Sequence, residues 1–134
     1  MDLAGFHPRY FKVTQHSDIV VVNFSFTHIN DEENIEELGH ELFLLADQFG
    51  FLKINVNMAG VEYITSSVVG KLITLHRKLH RSRGKLIISN LTIGVSDVLD
   101  ASRLLSYFTH CDTEEAALAV LRAHEDFEGD STVG

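Results

Sequence analysis

Cysteine and positive charge are scarce in this chain, and long apolar runs are missing. The single cysteine, Cys111, excludes an intramolecular disulfide and fits a reducing compartment; in its apolar-to-acidic turn it reads as a packing residue. Only 11 Lys and Arg stand against 19 Asp and Glu, and the formal charge of −8 argues against sequence-independent binding to nucleic acid or to an anionic membrane. Partners are therefore expected to be proteins. No apolar run approaches the ~18 residues of a membrane span, and the first residues carry no signal-peptide pattern, so the expected location is cytoplasmic. Catalytic signatures are missing as well. There is no Gly-x-Ser-x-Gly elbow, no Gly-rich loop ending in Lys-Ser/Thr and no dinucleotide fingerprint. Of the eight histidines, only His76 and His80 have the spacing that puts two imidazoles on one helix face. The local pattern offers no third ligand, and His76 falls on an apolar face, which makes it a core or boundary residue. Neither an enzyme, a cofactor nor a metal site is expected.

What is present reads as one α/β domain of 134 residues, 45% hydrophobic and 22% charged. Residues 11–14 and 19–24 flank the polar turn Gln15-His16-Ser17-Asp18 and are expected to form an antiparallel hairpin. Asn30 precedes Asp31-Glu32-Glu33 in a capping-box arrangement, and Ile35, Leu38, Leu42, Leu45 and Phe49 recur at helical spacing, which predicts a helix over 31–48 closed by Gly50. Strands are expected at 51–56 and 85–89 and near 107–110, and helices at 66–81, 95–101 and 113–124. Strands separated by helices need crossovers, so the later strands should be parallel and covered. The expectation is a mixed sheet of about five strands with about four helices. Residues 1–8 and 127–134 lack periodicity and are expected to be loosely held.

The most informative stretch is Val61-Glu62-Tyr63-Ile64-Thr65-Ser66-Ser67-Val68-Val69-Gly70, which puts hydroxyls on a strand-to-helix corner. A helix start leaves four N–H groups without intrahelical partners and carries about half a positive charge, so an anion is favoured there. The plainer account is that Ser66 or Ser67 caps the helix. Lys71, Arg77, Lys78, Arg81, Arg83 and Lys85 cluster on this helix and its exit. They read either as a face for an acidic partner or as last-turn cations opposing the negative helix end. No aromatic residues interleave with them as a nucleic-acid platform would require.

Over residues 51–121 the chain resembles the STAS domains of anti-sigma-factor antagonists and sulphate transporters. That family shows aromatic, apolar, Asp, Ser, Ser or Thr, Gly, apolar, Gly; here the run is Tyr63-Ile64-Thr65-Ser66-Ser67-Val68-Val69-Gly70. Thr65 replaces the Asp and Val68 replaces the first Gly. Arg83-Gly84-Lys85-Leu86-Ile87-Ile88, Ser89-Asn90-Leu91, Arg103-Leu104-Leu105-Ser106-Tyr107-Phe108 and the helix from Asp112 to Leu121 follow in the family's order. The resemblance implies a STAS-like fold and a regulatory module that binds a serine kinase doubling as an anti-sigma factor, with phosphorylation releasing it. It places the modified serine at Ser66, with Ser67 second, and the partner-binding corner at Thr65, Ser66, Ser67, Val68 and Val69. Two alternatives stay open: a constitutive or self-associating STAS scaffold, and an anion or nucleotide sensor using the N–H groups near Ser66.

Overall fold

The computed structural model describes residues 3–131, with side chains described as far as His124. Its elements in chain order are β1 (Phe11–His16), β2 (Ile19–Phe24), α1 (Glu32–Asp47), β3 (Lys53–Asn57), α2 (Ser66–Arg81), β4 (Lys85–Ser89), α3 (Ile93–Ala101), β5 (Thr109–Cys111) and α4 (Glu114–Ser131). They build a five-stranded sheet in the order β1-β2-β3-β4-β5. The first pair is antiparallel and the other three are parallel. Strands added one after another in the same direction by right-handed crossovers put every crossover helix on one face. Thus α1, α2 and α3 cover one side, where Ile35, Leu38, Leu42, Leu45, Val68, Leu72, Leu75, Leu79, Val95 and Leu99 meet Val20, Val22, Ile54, Val56, Leu86 and Ile88. Helix α4 covers the other side, where Ala117, Leu118 and Leu121 pack on Ile19, Val21 and Ile87.

Three elements have the bounds expected from their pattern, β2, α2 and β4. Other bounds shift by one to two residues, except that α4 runs on past the expected 124 to Ser131. The hairpin strand continues to His16, leaving Ser17 and Asp18 as the turn, with Ser17 at φ 60. The cap of α1 is Asp31 rather than Asn30, because the Asp31 carboxylate accepts from the N–H groups of Glu33 and Asn34. Gly50, at φ 75, turns the chain after α1 as expected. Helix α3 starts earlier than expected, at Ile93, since Thr92 caps it. The last strand is Thr109–Cys111, with Phe108 turned into the core instead. Near the beginning, where residues 1–8 are expected to be loose, Phe6 packs on Phe11 and Phe49 with centroids 6.1 and 5.1 Å away. Residues 1–2 and 132–134 of the expected loose ends lie outside the described residues, and 127–131 belong to the backbone of α4.

The central strand β3 is buried along its whole length, yet only Ile54 and Val56 are apolar. Its alternate residues Lys53, Asn55 and Asn57 face α4 and are all paired. Asn55 donates to the Ile87 carbonyl and to Ser89 Oγ, both at 3.0 Å, Asn57 donates to Glu114 at 2.9 Å, and Lys53 meets Asp18 at 3.2 Å. A fully buried amide is tolerated only when satisfied in this way. Replacing Asn55 by Ala leaves Ser89 Oγ buried without its partner, and should cost about 1–3 kcal/mol in a urea unfolding experiment, with an unchanged denaturant slope.

Candidate functional site: the corner that opens helix α2

The loop from Met58 to Ile64 carries the chain from the end of β3 to the start of α2, and neighbouring elements pin it along its length. Met58 N–H donates to the Ser89 carbonyl at 2.9 Å, while Glu62 and Tyr63 N–H groups both donate to the Thr27 carbonyl, at 2.7 and 3.3 Å. Thr92 Oγ1 donates to the Val61 carbonyl at 2.5 Å. A Cβ on Gly94 would collide with the Glu62 carbonyl oxygen, so only glycine lets the start of α3 lie this close. Val61 and Ile64 are fully buried and anchor the loop from below. These bonds and buried side chains tie the corner to its neighbours.

Thr65 is the cap of α2. It has extended backbone angles, φ −92 and ψ 167, and its Oγ1 accepts from the Val68 N–H at 3.4 Å. Capping was expected of Ser66 or Ser67, but both lie inside the helix, where their backbone angles are already helical. The two serines then diverge. Ser66 is exposed, whereas the Ser67 hydroxyl donates to Glu32 of α1 at 2.7 Å. The N–H groups of Ser66 and Ser67 find no protein acceptor among the described residues, so the positive end of α2 stays open to solvent beside Ser66. Val68 and Val69, also in the expected partner-binding set, are 0% and 3% exposed. Their side chains fill the core and none of their apolar surface is left for a partner.

Two residues that sequence reasoning left out take their place on the surface. Tyr63 is 51% exposed and Ile93 is 82% exposed. They are neighbours because Gly94 packs on the backbone of Glu62 and Tyr63. Around this corner Ser66, Glu62, Tyr63 and Ile93 are all exposed. Tyr63 was legible as the aromatic of the motif. Ile93 carried no signal of its own, since its exposure comes from where Thr92 starts α3.

The cations divide between two faces of α2. Lys71 pairs with Glu36 at 2.6 Å and Lys78 with Asp47 at 2.9 Å, so these two tie α2 to α1. Arg77 and Arg81 are exposed and turn away from α1, beside His76, His80 and Tyr107. The half-buried His76 is held below its ordinary pKa by burial first, then by the charges of His80, Lys85 and Arg77. Among the described residues, no group of three His, Cys, Asp or Glu side chains converges to hold a metal. No described helix is long and apolar enough to cross a membrane.

A family model for the STAS domain matches residues 10–117, and the chain belongs to that family. The match includes the hairpin and α1, which lie outside the stretch where the resemblance was read from sequence. Solved structures share the fold. An anti-sigma-factor antagonist (STAS) domain protein from Planctomyces limnophilus is 19% identical over 84% of this chain and 97% of that one, with a TM-score of 0.72. An anti-sigma factor antagonist from Mycobacterium paratuberculosis is 19% identical over 84% and 92%, at 0.73. The Bacillus cell fate determinant SpoIIAA in its phosphorylated form is 23% identical over 81% and 96%, at 0.63. Among curated proteins none matches the chain.

Two outcomes follow for the corner and its helix. Thr65→Ala removes the cap and should lower stability by about 0.5–2 kcal/mol, whereas Thr65→Asp keeps a cap acceptor, adds charge at the positive helix end and should be at least as stable as the parent. Thermal melts of the two variants check this. For His76 the native state binds the proton less readily than the unfolded chain. Its contribution to stability is therefore complete above the ordinary value of 6.5 and is lost as pH falls toward the lowered native value. Between about pH 7.5 and about pH 5.5 the melting temperature should drop less in His76→Gln than in the parent.

Proposed function

We propose that this chain is a non-enzymatic, cytoplasmic protein-binding module of the anti-sigma-factor-antagonist type. Its docking surface is the corner around Tyr63, Ser66 and Ile93, and its partner is a serine kinase that doubles as an anti-sigma factor. Phosphorylation of Ser66 releases that partner. The observation that carries this reading is the exposed Ser66 hydroxyl at a pinned, open helix start, with Tyr63 exposed on the loop that leads to it and Ile93 exposed on the helix packed against that loop. A phosphoryl group brings about −1.5 to −2 charges and three acceptor oxygens. The free N–H groups of the helix start stabilise it on this chain, while an apolar interface built over Tyr63 and Ile93 would have to desolvate it. About 2.7 kcal/mol of such a difference weakens binding a hundredfold. No refolding is needed. Ser66 is favoured over Ser67 because the Ser67 hydroxyl already donates to Glu32, whose carboxylate would repel a phosphoryl group there.

One observation favours a second reading, a constitutive binder. Thr65 stands where the family's Asp would be and caps the helix as a neutral residue, so the position before Ser66 offers a kinase no carboxylate. The two readings part in one experiment. Affinity capture from the native cells, with the parent and Ser66→Asp as baits, should retain a serine-kinase-like protein on the parent and lose it on the variant. That kinase, once purified with ATP, should phosphorylate the parent at Ser66 by mass spectrometry. Retention on both baits with no modification establishes the constitutive binder, and absence of a kinase from both overturns the kinase partnership.

A further inference from the structure

The C-terminal half of α2 borders a groove of about 480 Å³ that has no part in the corner described above. It is lined by Thr74, His76, Arg77, His80, Arg81 and Tyr107. Its volume falls within the few hundred Å³ typical of small-molecule sites. On the helical rise, Arg77 lies about 16 Å along the axis from Ser66, and Arg81 about 22 Å. The groove and the corner are therefore separate places.

The charge in this groove runs against the rest of the molecule. The chain carries a formal charge of −8, yet among the described residues the groove lining contains two arginines, two histidines and no carboxylate. Lys85 is close enough to act on His76. The lysines of the same helix that face α1 have their acids, Glu36 and Asp47. Arg77 and Arg81 have no ion pair among the described residues. Nor is either guanidinium bonded to a helix-end carbonyl among the described residues, and two of those carbonyls are met by backbone. Leu79 accepts from Ser82 and Gly84, and His80 accepts from Arg83. Two guanidiniums one turn apart are thus left to a partner from outside, and a guanidinium fork matches a phosphate bidentately.

The other wall of the groove is aromatic. Tyr107 is 41% exposed and meets the His76 ring edge-on at 5.1 Å, and His76 stacks on His80 at 5.8 Å with planes 17° apart. His76 Nδ1 is buried and has no hydrogen-bond partner. A histidine pair also raises the thought of a metal. The positive charges of Arg77, Arg81 and Lys85 oppose a cation here, and no third ligand is present among the described residues. An anion satisfies the arginines, and a flat group beside Tyr107 covers exposed ring surface.

We propose that this groove binds a small organic phosphate carrying a flat ring, with Arg77 and Arg81 holding the phosphate and the ring lying against Tyr107. The site is independent of the Ser66 corner and stands or falls without it. NMR titration of the full chain with phenyl phosphate tests it, with inorganic phosphate as the charge-only probe. Phenyl phosphate should shift the resonances of residues 74–81 and Tyr107 saturably, inorganic phosphate should bind more weakly, and saturation should raise the His76 titration midpoint by screening its cationic neighbours. The double variant Arg77→Gln/Arg81→Gln should weaken phenyl phosphate binding about tenfold or more while leaving the remaining spectrum in place, since both side chains are exposed. Non-saturable shifts, shifts centred on Ser66, or equal affinity in the double variant overturn the site. Equal affinity for the two phosphates overturns the role of the ring.

Discussion

Burial of the apolar stripe of α2 is the interaction on which the rest of this molecule depends. Val68, Val69, Leu72, Leu75 and Leu79 are all between 0% and 3% exposed, packed on the sheet and its flanking helices. At about 1.5–3 kcal/mol for each buried side chain, their sum is on the order of 10 kcal/mol. A cap contributes about 1 kcal/mol and an exposed ion pair about 0–1. The stripe therefore sets the rotation of the helix, and every other side chain on it takes the direction left over. Ser67, Lys71 and Lys78 are turned to α1, where Glu32, Glu36 and Asp47 receive them. Ser66, Arg77 and Arg81 are turned to solvent.

That rotation explains why two serines next to each other in sequence differ so much in chemistry. One step along a helix turns the side chain by about 100°. Ser67 lands over α1 and becomes part of the packing between helices, while Ser66 keeps a free hydroxyl at the positive end of the dipole. The neutral cap at Thr65 belongs to the same account. A threonine supplies the acceptor that the helix start needs without adding a charge at the cap, so the nearest carboxylate held at this end is Glu32, on the Ser67 side. The corner is consequently held by its neighbours, while the Ser66 side of the helix start stays open to solvent.

The sheet has its own constraint. Sequential strand order sends three helices to one face, so α4 alone covers the other, and it does so over a strand whose alternate residues are Lys53, Asn55 and Asn57. Those polar groups are compatible with burial because each has a partner across the sheet or in α4. The front face is held by apolar contact, the back face by a smaller apolar patch and a hydrogen-bonded layer.

Much of this was legible before any coordinates. The 3.6-residue repeat of α2 and the glycine ahead of β4 marked both elements to the residue, because periodicity reports which side of an element is buried. The motif around Ser66 and its order relative to the later elements pointed to the STAS family, which the match over residues 10–117 shows. Caps were the weak point. Asp31 and Thr65, rather than Asn30 and Ser66 or Ser67, close their helices, since the choice rests on one ψ angle that composition does not report. Ile93 reached the corner only because Gly94 lets α3 approach Glu62, and Tyr107 reached Arg77 and Arg81 from a loop after the next helix. Sequence by itself determined the elements, their order and the family, because local periodicity and turn chemistry act within a few residues. Tertiary structure decided which serine is free, which cations are paired and which apolar side chains are shown, because each depends on what a distant segment brings alongside.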